Sequence, residues 1–205
     1  MKTLKPVLSS SISLRGDDAI KLVEMVLDAN NMIIEVSDSW DASAKAGNAD
    51  SRLSASAVIG QSIDHFISGD SSVMYLDSAL KLCRLKKQTL FKPYRCDSPT
   101  HKRFMEMELQ PLANGQVKIS HYLIREEAFG SPLYLKDVTR TSSAKEVVVR
   151  CSMCNQLKKP GTDTWLPPEE FQASQDAPLN VIHSVCPACQ VAIWEFRVGR
   201  PESSD

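Results

Sequence analysis

The spacing of apolar positions changes along this chain, and the changes divide it into strands, then helices, then strands again. Two short apolar runs, Leu22 to Leu27 and Met32 to Val36, flank the polar stretch Asp28-Ala29-Asn30-Asn31. Asn tolerates the left-handed backbone that a tight connection needs, so these runs predict a β-hairpin. One amphipathic helix from Asp17 to Leu27, capped by Asp17 or Asp18, is the competing reading. From Trp40 to Leu85 the pattern turns helical, with Ala-rich segments broken at Gly47 and Gly60. The last segment, SSVMYLDSALKLCRLKK, places Val73, Leu76, Leu80 and Leu85 where they predict one buried stripe. After Gln88 come three partly alternating segments, TLFKPYRCD, KRFMEMELQPL and GQVKISHYLIRE, separated by DSPT and ANG. Turn residues at both breaks predict an antiparallel meander.

The flanks are less patterned. Residues 1–16 are Ser-rich and without a period, which predicts a flexible arm. Residues 127–147 contain Gly130, Pro132 and a polar TRTSSAK run, and read as a connector with a short strand at Leu133 to Leu135. The resulting division is an arm at 1–16, an α+β domain at 17–126, the connector, and a cysteine module at 148–200.

Composition narrows the class. A chain of 205 residues, 42% hydrophobic and 24% charged, is long enough for one ordinary folded domain and a small one. A net charge of −1 argues against bulk attraction to nucleic acid or anionic lipid. The first residues lack the apolar run of a secretory signal, and nothing reaches the ~18 apolar residues of a spanning helix. We therefore expect a cytoplasmic protein without membrane contact, in a compartment where regular cysteine spacing means metal more often than disulfide.

Cys151 and Cys154 form one C-x-x-C and Cys186 and Cys189 another, with 31 residues between them. Two residues between thiols let one turn aim both sulfurs at a common point, and two such turns complete a tetrahedron around Zn²⁺. Four cysteines close the coordination sphere, which favours structural over catalytic zinc. An iron–sulfur cluster and redox-active thiols are the alternatives. A segment with Pro160, Pro167, Pro168, Pro178 and Pro187 also has little apolar surface of its own, so a metal would stabilise it. His183 stands three residues before Cys186, and a supporting role beside the ligands fits it better than ligation.

The order of two strands, short helices and three strands, with VIGQSIDHF before the long helix, resembles the PAS family of bacterial sensor domains. The likeness runs from about Leu22 to Glu126 and rests on LDANNMIIEVSDSWD, Gly60 and YRCDSPTHKRFMEMELQPL. It implies a five-stranded antiparallel sheet in which the opening pair joins the closing three, with the helices on one face. The segment with C-S-M-C, Trp165, Pro168-Glu169-Glu170-Phe171 and HSVCPAC is similar to a zinc-ribbon-like module that follows PAS or receiver domains in bacterial signalling proteins. Trp165, Phe171, Trp194 and Phe196 would form its small core, and Pro168 to Glu170 suit the first turn of a helix.

These resemblances imply a non-enzymatic regulator acting through a protein partner, and a homodimer built on apolar sheet faces at Leu22 to Met25 and Ile119 to Leu123. A ligand pocket between helices and sheet would use Phe66, Met74, Leu80, Phe104, Met105 and Met107; the alternative is a filled core in which the same residues only pack and the domain serves as an interaction module. Strand alternation sets Phe104 against Met105 and Met107, so only one of these sets can face inward. Two alternatives follow from the residues. A zinc ribbon contacting nucleic acid would need a basic face, for which Lys81, Arg84, Lys86, Lys87, Lys92, Arg95, Lys102 and Arg103 are the candidates. A heme or thiol redox sensor would need an axial ligand or a reactive thiol. The long helix has no His, His65 lies just before it, and Cys96 reads as a structural cysteine. Photoactive flavin members share an N-C-R-F-L-Q stretch, where this chain has IDHFIS.

Overall fold

Strands β1 (Ile20–Leu27) and β2 (Ile33–Val36) pair antiparallel across the Asp28 turn, in a computed structural model that describes residues 13–46, 51–138, 147–171 and 178–191. The Asp28 carboxylate accepts from the Asn30 and Met32 amides at 2.8 and 2.9 Å, and Asn31 takes φ 64°. This is the local chemistry that turns a chain back on itself, and it settles the hairpin against a helix at 17–27. Helices α1 (Trp40–Ala46), α2 (Ala55–Val58) and α3 (Asp70–Lys86) follow. The meander is β3 (Leu90–Arg95), β4 (His101–Pro111) and β5 (Val117–Ala128). The sheet is antiparallel in the order β2-β1-β5-β4-β3, so β1 joins the hairpin to the meander through β5. Pro93 falls on the edge strand β3, where a missing amide costs no ladder bond on the open side.

Helix α3 buries Tyr75, Leu76, Ala79, Leu80 and Cys83. Leu85 does not belong to that stripe and is 81% exposed. A helix turns by about 100° per residue, so Leu85 lies on the far side from Cys83. Leu27, Ile33, Val58, Leu80, Leu109 and Val117 form the enclosed centre of the core between this helix and the sheet.

The other face of the sheet is polar and partly covered. Ser13 Oγ and the Leu14 amide each donate to the Glu106 carboxylate at 2.7 Å, and Arg15 Nε lies 3.0 Å from it. The Arg15 guanidinium stacks 3.8 Å from the Tyr122 ring centroid. Residues 13–16, read from sequence as the end of a loose arm, thus lie against the sheet; residues 1–12 lie outside the described residues. The apolar sheet face expected at Leu22 to Met25 and Ile119 to Leu123 is divided by strand alternation. Met25 and Ile119 are in the core, while Ser120 hydrogen-bonds Glu24 at 2.7 Å.

A second sheet contains β6 (Leu135–Asp137), β7 (Val148–Cys151), β8 (Leu157–Lys158), β9 (Trp165–Leu166) and β10 (Leu179–Ser184), in the order β6-β10-β7-β8-β9. In it β10 runs parallel to both β6 and β7, while β7, β8 and β9 pair antiparallel. The long stretch between the two cysteine pairs supplies the crossover that parallel pairing needs. The connector's strand is Leu135–Asp137 rather than Leu133 to Leu135, and it belongs to this sheet. Phe171 packs with Val148, Leu157 and Val181. Trp165 packs against the cysteines. Trp194 and Phe196 lie outside the described residues. Among those residues no helix is long and apolar enough to cross a membrane.

Candidate metal centre and adjoining cavity

Parallel pairing explains how four thiols meet. The register Ser184↔Cys151 sets the ends of β10 and β7 side by side, so both C-x-x-C turns leave the sheet at the same edge. In the first turn the Asn155 amide donates to the Cys151 carbonyl at 3.0 Å, and Asn155 adopts φ 62°. In the second, residues 187–191 are helical and the Gln190 amide donates to the Cys186 carbonyl at 2.9 Å. Pro187 suits a first helical position, where its missing amide leaves no partner short.

The sulfurs of Cys151, Cys154, Cys186 and Cys189 all lie within 4.8 Å of one another, and Cys154 Sγ is 3.7 Å from Cys186 Sγ. A tetrahedron with Zn–S bonds of ~2.3 Å has edges of ~3.8 Å, so the set is already at coordinating size. The Cys186 amide donates to Cys151 Sγ at 3.4 Å, the type of contact that stabilises a thiolate. Hydrogen bonds from the Cys154 thiol first, then from Cys186 and Cys189, hold the Cys151 thiol far below the usual thiol range. Four buried or half-buried sulfurs with such support can hold a metal ion.

His183 is not one of the clustered ligands. Its Nε2 lies 2.9 Å from Asp137 Oδ1, and its Nδ1 lies 3.4 Å from the hydroxyl of Ser152, inside the first cysteine turn. The ring ties β10 to β6 and to that turn. Its bond to Asp137 also holds that carboxyl below its ordinary range.

The cysteine turn meets the first sheet directly. The Arg95 amide of β3 donates to the Met153 carbonyl at 3.1 Å, and Lys102 pairs with Glu169. Tyr75 of α3 packs among Cys151, Met153, Val185, Cys186 and Cys189. Beneath this seam lies a cavity of about 390 Å³. Of the six residues expected to line it, Phe66 and Met107 do. Met74 is 59% exposed, because it lies off the buried face of α3. Leu80 is sealed in the core and Met105 is buried beside the lining. Phe104 points to the opposite face, where Arg95 and Arg125 stack on its ring at 5.0 and 4.1 Å from the centroid.

Polar residues of the lining escaped the sequence reading. Lys92, Tyr94, His121, Ser72, Tyr75 and Ser152 all border the cavity. Tyr94 Oη and His121 Nδ1 are 2.8 Å apart, and burial pushes the His121 pKa down to about 4. Parity was the available signal: Lys92 and Tyr94 alternate with Leu90, and His121 with Ile119, both core positions.

The remaining candidates are separate. Cys96, one residue past the end of β3, is exposed, contrary to the structural role expected for it, although its amide still donates to the Arg103 carbonyl of β4 at 3.0 Å. His65 is exposed in the short turn before α3. The basic set does not form one face. Lys81 pairs with Asp77 at 2.7 Å, Arg84 donates to the Gly115 and Asp28 carbonyls at 2.8 Å, Arg95 grips Asp97, and Lys92 is in the cavity wall.

No protein-family model and no curated protein matches this chain. Among solved structures it is similar to a domain of an HTR-like protein from Haloarcula marismortui, at 13% identity and a TM-score of 0.30, over 52% of this chain and 95% of that one.

Proposed function

We propose that this protein is a non-enzymatic bacterial regulator of the cytoplasm, in which a PAS-like domain senses a small molecule and a structural Zn²⁺ held by Cys151, Cys154, Cys186 and Cys189 fixes the surface that meets a protein partner. Its five-stranded sheet and strand order support the PAS-like reading. An all-cysteine sphere suits closed structural zinc, since a catalytic ion would keep a position for water. One observation carries the link between the two parts: Ser152 and Met153, the residues between the first two thiols, also line the cavity. A molecule in the cavity would press on the metal-bearing turn. The protein would then shift between two packings of that turn, and the partner would read the difference. We also propose that it acts as a homodimer, the commonest closed assembly.

The test is metal release. Zinc-loaded protein should hold one ion per chain, and its transfer to a chromogenic chelator should slow when a cavity ligand is added. A folded, metal-free protein as purified, or release indifferent to every cavity ligand that binds, would remove this function.

A further inference from the structure

The cavity has a chemical polarity. Strands β1 and β2 and the short helical segments contribute hydrocarbon and sulfur: Met25, Ile33, Leu53, Ile63 and Phe66. Trp40 joins them, its indole N–H already donated to the Leu53 carbonyl at 2.8 Å. The polar groups come from β3, β5, α3 and the cysteine turn, which also contribute Leu76, Ile119 and Met153. No Asp or Glu occurs among the lining residues.

Three of those polar side chains are suited to one task. Lys92 is 1% exposed and borders the cavity. Ser72 Oγ and Tyr75 Oη also border it, are buried, and have no hydrogen-bond partner among the described residues. Buried hydroxyls without partners are costly, typically by about 1–3 kcal/mol each, and a bound molecule that accepts from them removes that cost. Burial pushes the Lys92 pKa down to about 7, and an anion bound beside it would favour its charged form.

We propose that the cavity binds a small monocarboxylate with an aromatic or medium-chain aliphatic body, its carboxylate held by Lys92, Tyr75 and Ser72 and its body lying along Met25, Ile33 and Phe66. This rests on the reading of the cavity as a ligand site. One cation and two hydroxyl donors match one carboxylate; a phosphate dianion would leave charge and lone pairs unmatched in a carbon-walled site. The volume is that of a pocket for a compact ligand of this type. Tyr75 also packs against the thiols, so the residue that would bind the carboxylate touches the metal-bearing turn.

The test uses the full zinc-loaded chain and calorimetric titration with two acid and amide pairs: indole-3-acetate with indole-3-acetamide, and decanoate with decanamide. At least one acid should bind about tenfold or more tightly than its amide, the difference expected when a charge-assisted contact replaces a neutral one. Lys92→Met should abolish that preference without changing zinc content, and Tyr75→Phe should weaken the acid more than the amide. Equal binding of acid and amide overturns the carboxylate inference and leaves the cavity a ligand site for neutral molecules. Preference retained in Lys92→Met overturns the role of Lys92. Binding of none of the four at ~1 mM overturns the inference together with the reading of the cavity as a site for such ligands. The acid and amide comparison needs only the unmodified protein, so a Lys92→Met chain that fails to fold does not remove the test.

Discussion

Gly69 and His183 meet back to back: a Cβ added to Gly69 would lie 2.9 Å from the His183 Cβ, and Gly69 holds φ +89°. Gly69 is the residue before helix α3, and His183 is in the strand that leads to the last two cysteines. The contact therefore joins the start of α3 to the second sheet at a point where only hydrogen fits.

Gly69→Ala should be the more damaging of two alanine substitutions at positive φ. Gly60 has φ +83° and open space around it, so Gly60→Ala should cost only the backbone strain of about 1–2 kcal/mol. Gly69→Ala should add about 1–3 kcal/mol of overpacking. Denaturant unfolding of the two variants measures the difference, and equal losses would show that the seam yields freely.

Removing the metal should act locally. Chelation, or Cys186→Ser, should raise hydrogen exchange through residues 147–171 and 178–191 while β1 to β5 keep their protection, since ligand thiolates and the local fold form together. Elemental analysis should give one zinc per chain before chelation and none after.

Glu106 anchors the segment before β1. It is 1% exposed and accepts from Ser13 and Leu14 while pairing with Arg15. Glu106→Ala should cost about 1–3 kcal/mol, since it removes the acceptor for Ser13 and Leu14 while Arg15 keeps Glu108 at 2.8 Å. Trypsin should then cut after Arg15 at concentrations that leave the parent chain whole.

Acid should weaken the fold in part through His121. The folded ring resists protonation until about pH 4, whereas a free histidine protonates near 6.5. As pH falls, the unfolded chain therefore takes up the proton first. The stability gained from keeping this ring neutral is fully present above pH 6.5 and is lost as pH drops towards about 4. Acid also releases metal from thiolates, so the measurement is the difference between the parent chain and His121→Gln in unfolding free energy. That difference should shrink across this window.

Leu80→Ala should cost about 2–5 kcal/mol, because the side chain is sealed in the core. Met74→Ala should stay within about 0.5 kcal/mol, because Met74 faces solvent. Thermal or denaturant unfolding of both checks the orientation of α3.

The hairpin and meander were legible because their determinants are local. Asn31 and the Asn114-Gly115 pair take positive φ where the turns require it. The cysteine turns were legible for the same reason: two residues of spacing dictate the geometry. The cavity was harder to read. Its apolar candidates were chosen by residue type, but which of them line it depends on how α3 rotates against the sheet. Of its polar residues, Lys92, Tyr94 and His121 share the sheet face of Leu90 and Ile119, a placement that strand parity alone marks. The parallel pairing of β10 could not be read at all, since it joins segments far apart in sequence and leaves no mark in either.

That late pairing bears on how the protein is made. The last strand of the first sheet ends at Ala128, and the fourth cysteine, Cys189, leaves the ribosome about 60 residues afterwards. At ~5–20 residues per second this is a delay of ~3–12 s, during which the newly folded first sheet has β3 as an open edge and Tyr75 without its sulfur neighbours. The nascent chain is then exposed to strand-adding partners and chaperones. A metal ion taken up by the four thiols would arrive only after that interval, so metal supply would bear on how much of the chain reaches its finished form.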